Sequence, residues 1–167
     1  MYYFSFIQKS NRLFNYSALA GLRDMKSGLG SRLELDIDRA AGAAFSPDGT
    51  LLAISSNQGY VRLWETKPLK EVHTFREIFW GAHAVAFSPD GLRVVASSSG
   101  KECIRIWDVV SRQELLTLPG EGSVYRQTAF SPDGDSVGTC SSRSRLLHLW
   151  RAPSWEEIEA AQKRPRR

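Results

Sequence analysis

Cysteine is scarce in this chain. Cys103 and Cys140 stand 37 residues apart, with no Cys-x-x-Cys pair and no histidine beside either. A zinc site needs clustered ligands, so no metal centre, no cofactor and no disulfide scaffold is expected. Both cysteines fall in apolar, strand-like runs, where a small buried thiol in a reducing, cytoplasmic setting is the expectation. Long apolar runs are missing too: nothing approaches the roughly 18 residues a membrane helix requires. The opening Tyr2-Tyr3-Phe4-Ser5-Phe6-Ile7 gives way at once to Gln8, Lys9, Ser10, Asn11 and Arg12. A secretory signal puts its charge first and an apolar stretch after it, so none is read here. An excess of one charge is also absent from the body of the chain. Of 22 basic residues set against 18 acidic ones, four (Lys163, Arg164, Arg166 and Arg167) lie in the last five positions. The basic balance therefore describes a tail and not a binding face, and no nucleic-acid partner is expected.

What the chain has in plenty is internal repetition. Phe-Ser-Pro-Asp-Gly occurs at 45–49, 87–91 and 130–134, and a tryptophan follows each phenylalanine after 19 or 20 residues, at Trp64, Trp107 and Trp150. A fixed period of 42 or 43 residues is the mark of a repeat architecture. Pro-Asp-Gly is turn chemistry: proline presets φ, aspartate bonds its own backbone, and glycine takes the positive φ that closes the turn. Ser-Pro pairs also suit phosphorylation, but the turn explains all three copies together.

Between turn and tryptophan each unit holds β-prone runs. Val61-Arg62-Leu63-Trp64, Ile104-Arg105-Ile106-Trp107 and Leu147-His148-Leu149-Trp150 alternate apolar and polar with period two, as half-buried strands do. Leu51–Ile54, Val94–Ala96 and 136–140 precede them, and 71–75 and 113–118 supply a further strand, giving four short strands per unit. Inner strands are expected near 43–46, 84–88 and 126–130. The three tryptophans are expected to be buried in equivalent environments.

On these residues the chain resembles the WD-repeat (WD40) β-propeller family, which has four strands per blade and a Trp-Asp pair ending the third. The pair stands intact as Trp107-Asp108, becomes Trp64-Glu65 in the unit before, and ends as Trp150-Arg151. The resemblance implies an all-β fold of about four blades in an open or incomplete propeller, plus a short C-terminal helix. Residues 1–30 read as a decayed first unit, with Arg23 where the tryptophan belongs and Leu33-Glu34-Leu35 as outer strand. Residues 31–151 hold three units, and 152–167 a capping helix and basic tail. Ser154 and Glu157 form the capping box of that helix, which Pro165 ends. The family's buried His–Ser/Thr–Trp–Asp network is depleted here. No Gly-His precedes the units, Ser97 and Thr139 are placed to reach the indoles of Trp107 and Trp150, and Ile54 cannot serve Trp64. The ending is similar to the C-termini of large bacterial WD-repeat proteins, some of them fused to kinases, but no kinase motif is present.

His73, His83 and His148 have no nucleophile or carboxylate arranged around them, and Asp48, Asp90 and Asp133 belong to turns, so no enzyme activity is expected. The resemblance implies a non-enzymatic protein–protein interaction scaffold of the bacterial cytoplasm, without membrane attachment. The alternative is a C-terminal fragment of a larger WD40 protein with no independent activity. Loop 76–83 is the unusual segment, and Arg76, Phe79 and Trp80 are its candidate partner-binding residues, with Lys101 and Glu102 in a neighbouring turn. Against that stands packing of Ile78, Phe79 and Trp80 into the groove between blades. Open blade edges make self-association a second expectation.

Overall fold

A computed structural model of the chain describes residues 39–76, 78, 80–141 and 146–153, and the backbone of 3–7, 12–16, 20–24 and 30–33. The helix expected over 154–162, the outer-strand residues Glu34 and Leu35, and Phe79 lie outside the described residues. Every regular element among those described is a strand.

Unit one is an antiparallel meander of β1 (Tyr3–Ile7), β2 (Arg12–Tyr16), β3 (Ala20–Asp24) and β4 (Gly30–Leu33). Unit two repeats it with β5 (Ala40–Phe45), β6 (Leu51–Ser56), β7 (Tyr60–Thr66) and β8 (Leu69–Phe75). Unit three begins with β9 (Ala84–Phe87), β10 (Arg93–Ser97) and β11 (Ser99–Asp108). Its outer strand is the first half of β12 (Glu114–Phe130), whose second half is the inner strand of unit four. Units three and four therefore form one six-stranded sheet, completed by β13 (Ser136–Ser141) and β14 (Leu147–Arg151) at its edge. Inner strands were expected where β5, β9 and the end of β12 lie; the continuity of β12 was not. Neighbouring inner strands lie side by side, β1 with β5, β5 with β9 and β9 with β12, so the units are arrayed around an axis.

The repeated pentapeptide makes the same turn three times. The Ser46 hydroxyl donates to Asp48 (2.6 Å) while accepting the Leu51 N–H (2.9 Å). The Gly49 N–H bonds the Ser46 carbonyl at 2.8 Å with φ +74°. Ser88 accepts the Arg93 N–H and Ser131 the Ser136 N–H in the same way, each at 2.9 Å. These hydroxyls are committed to the fold, and Ser88 is fully buried, so a phosphate would open the turn rather than decorate it. Longer-range repetition matches: Arg62 pairs with Glu71 at 3.7 Å and Arg105 with Glu114 at 3.1 Å, across the third and fourth strands of units two and three.

Apolar packing lies between units. Val61, Leu63 and Phe75 of unit two meet Val94, Ala96 and Trp107 of unit three, while Val95, Ile104 and Ile106 meet Tyr125 and Val137 of unit four. The tryptophans are not equivalent, contrary to expectation. Trp107 is 3% exposed and stacks on Phe75 with ring centroids 5.0 Å apart, but Trp64 and Trp150 are only half-buried. Register supplies a reason. Phe75 lies opposite Val61, and the corresponding positions are Leu33 opposite Ala20 and Leu118 opposite Ile104. Only one of the three outer strands offers an aromatic ring there. Ser97 and Thr139 bond the carbonyls of Tyr125 and Gln127 and not the indoles. The buried Trp64 Nε1 finds no acceptor among the described residues, as the isoleucine at 54 implies. Cys140 is exposed, against the expectation of a buried thiol, because it faces outward from the last unit.

Candidate protein-interaction surface

The described residues of the loop after β8 are tied to the blades by backbone hydrogen bonds. The Ile78 N–H reaches the Gly59 carbonyl (3.2 Å), Gly81 the Ile78 carbonyl (3.1 Å), Ala82 the Ser56 carbonyl (2.9 Å) and His83 the Ser97 carbonyl (2.8 Å). Ile78 goes inward, 3% exposed, and joins the packing between units two and three. Trp80 does not. It is 68% exposed and lies across Gly100, where a Cβ would come within 3.0 Å of its Cδ1. Packing between units thus holds for Ile78 and fails for Trp80.

Arg76 and Lys101 are exposed at the same end of the molecule, and Lys101 follows the glycine on which the indole rests. Lys101 and Glu102 are strand residues and not turn residues: β11 runs from Ser99, with register shifts on both sides of Glu102, which lies opposite Pro119. Irregular pairing lets this strand start early while still turning its first residues toward the loop. Trp80 and Lys101 come together, Arg76 opens the same loop, and Phe79 lies outside the described residues.

His83 carries more structure than its loop position suggested. Its Nδ1 is 2.8 Å from Asn57 Oδ1 and its Nε2 is 2.7 Å from Ser99 Oγ. An amide oxygen only accepts, so neutral His83 holds its proton on Nδ1 and accepts the Ser99 hydroxyl at Nε2. Burial, and then the charge of Arg126, hold its pKa below the ordinary histidine value. The three residues come from units two and three, so the imidazole clasps one to the other. Sequence reasoning missed them because partners 26 and 16 positions away leave no local signature. The other histidines are packed, His73 edge-on to Phe75 and His148 stacked on Trp150. No group of three or more His, Cys, Asp or Glu side chains is gathered to hold a metal among the described residues. A concavity of about 590 Å³ lies beside the inner strands, walled by Ala41–Ala43, His83–Val85, Arg126–Ala129 and the outward face of unit four.

Residues 39–65 and 70–108 match a family model for the WD domain, G-beta repeat. A WD repeat-containing protein of Deinococcus radiodurans is 34% identical over 67 residues, 40% of this chain and 25% of that relative. Another, from Synechocystis, is 31% identical over 65 residues, 38% of this chain and 19% of the relative. The matched region is thus a quarter or less of the length of these relatives. Among solved structures, hydrazine synthase of Kuenenia stuttgartiensis superposes with a TM-score of 0.77 over 89% of this chain and 45% of its own, at 16% identity, a likeness of fold alone. Over residues 39–65 and 70–108 the chain carries WD40 repeats, and its all-β units are arrayed as propeller blades. WD40 repeats are a protein-interaction module type.

Proposed function

We propose that the chain is a non-enzymatic protein-interaction scaffold, and that its partner seats on Arg76, Phe79, Trp80, Lys101 and Glu102. The observation that carries this reading is the Trp80 indole, 68% exposed on a loop whose backbone is bonded into the blades. A large aromatic held at the surface by that bonded backbone loses little freedom on binding, and aromatic and Arg side chains are enriched at interface hot spots. Arg76 and Lys101 add two cations and suit a partner with acidic groups beside an apolar anchor. The bacterial relatives and the free Cys140 thiol support a bacterial, cytoplasmic setting. No helix among the described residues is long and apolar enough to cross a membrane.

The test is quantitative pull-down from a bacterial lysate with the intact chain and with a Phe79→Ala/Trp80→Ala double variant, both checked for an unchanged melt. The reading expects specific partners to be lost from the variant. Equal recovery by a folded variant overturns it.

A further inference from the structure

Three equivalent positions of the repeat meet at the axis. Ala41, His83 and Arg126 each stand four places before the phenylalanine of a repeated turn, and the inner strands that carry them lie side by side. All three line the concavity of about 590 Å³. Where the second blade puts a methyl group, the third puts an imidazole and the fourth a guanidinium. No Asp or Glu stands on that wall, and Arg126 is its one arginine or lysine among the described residues. Arg126 is exposed, and no carboxylate among the described residues pairs with it. The hydroxyls on the wall are already committed: Thr128 donates to the Gly138 carbonyl and Thr139 to that of Gln127. What remains to meet a ligand is a guanidinium fork beside the apolar side chains of Ala41, Ala43, Ala84 and Val85.

We propose that this concavity binds a short aliphatic carboxylate, its head on the Arg126 guanidinium and its apolar body against the alanines and Val85. Arginine presents paired N–H groups that fit a carboxylate two at a time. A single cation matches a monoanion, whereas a phosphate brings close to two charges and asks for more donors. The volume lies within the range of small-ligand pockets, about 300–1,000 Å³. His83 stands beside the site and responds to it. Its Nδ1–H is on Asn57 and its Nε2 accepts from Ser99, so the neutral ring has no donor left over. Protonation at Nε2 keeps both contacts, because the Ser99 hydroxyl accepts as well as it donates. What holds the ring neutral is burial first and the charge of Arg126 second. Asn57 and Ser99, its partners on the second and third blades, are uncharged, and Cys140 is the other titratable side chain on the wall. A carboxylate on Arg126 offsets the arginine's charge and so favours protonated His83. By reciprocity it binds more tightly as the pH falls.

Titration calorimetry of the full chain with butyrate, with inorganic phosphate and with a capped Gly-Glu-Gly peptide tests this. Butyrate is expected to saturate a single site with a dissociation constant of about 1 mM or below, and phosphate to bind more weakly. Arg126→Gln should weaken butyrate about tenfold or more with an unchanged melt, since the side chain is exposed and a charged hydrogen bond is lost. Arg126→Lys, which keeps the charge and loses the fork, should fall between the two. In the unsubstituted chain the affinity should rise at least about twofold from about pH 7.5 to about pH 5.5, and the His83 ring signals in NMR should titrate at higher pH with butyrate than without. Peptide binding as tight as that of butyrate assigns the carboxylate to a protein side chain, and exclusion of the peptide assigns it to a free acid. No saturable binding, phosphate bound more tightly than butyrate, equal affinity in Arg126→Gln, or an affinity independent of pH over this window would each overturn the proposal.

Discussion

The second and fourth blades share a turn, a strand register and a third strand of alternating apolar residues, yet their outward faces differ almost completely. Leu63 is 1% exposed and Leu149 is 65% exposed. The difference lies in the neighbour and not in the blade. In a repeat array each unit contacts only the next, so burial and the stability it brings belong to pairs of blades. The same lesson holds for the tryptophans. Trp107 meets Phe75 from the blade before it, while Trp64 and Trp150 stay half-buried, and the outer-strand position that matches Phe75 is leucine in the first and third blades.

The largest effect that sharpens this comparison is at Trp107. Its replacement by alanine is expected to cost about 3–5 kcal/mol, as large aromatic core deletions do, and Trp64→Ala and Trp150→Ala visibly less. Denaturant midpoints of the three variants check the order. Next comes Gly42, on the inner strand, where a Cβ would stand 2.8 Å from Ser55 Oγ and 3.0 Å from the Ala84 backbone of the next blade. Gly42→Ala forces two blades apart at the axis, and a loss of about 1–3 kcal/mol is expected, as for other overpacked sites. A neutral Gly42→Ala would mean that the second and third blades do not approach as closely as described.

A smaller effect is set by pH. The carboxyls of Asp48 and Asp90 are held below the ordinary value of 3.8, first by the hydroxyls of Ser46 and Ser88 and then by the N–H groups of Thr50 and Leu92. Their folded pKa is depressed, so the stability they contribute is complete above the unfolded value and drains away as pH falls through the folded one. Acid unfolding below about pH 4 should therefore be partly a property of the turns. Asp48→Asn/Asp90→Asn lowers stability at neutral pH and flattens the acid limb of the curve; an acid limb of unchanged steepness would contradict the turn chemistry. Smaller still is the effect of Trp80→Ala, which should leave the melt within about 0.5 kcal/mol, as surface substitutions do, while removing the proposed anchor.

The turns, the period, the strands of each unit and the WD40 resemblance are legible in the sequence, because each depends on residues close together in the chain. The aspartate and glycine of the turn were read correctly, but the serine hydroxyl that locks it was seen only as a phosphorylation alternative. The unequal tryptophans, the exposed Cys140 and the His83 clasp were not legible. Each depends on which blade lies alongside, and the decisive partner sits 16 or more residues away. Lys101 and Glu102 read as a turn because Ser-Ser-Ser-Gly precedes them, yet pairing with β12 draws them into an irregular strand. In the proposed surface, Trp80 was singled out by composition alone, and its contact with Gly100 is a property of the fold.

The most direct measurement of the central claim compares Leu63→Ala with Leu149→Ala by denaturant unfolding, at protein concentrations low enough to keep the chain monomeric. The account predicts a loss of about 2–5 kcal/mol for Leu63→Ala, the range for buried leucines, and less than about 0.5 kcal/mol for Leu149→Ala. Equal losses at the two sites would contradict it, since they would show the fourth blade's outward face to be covered within the single chain.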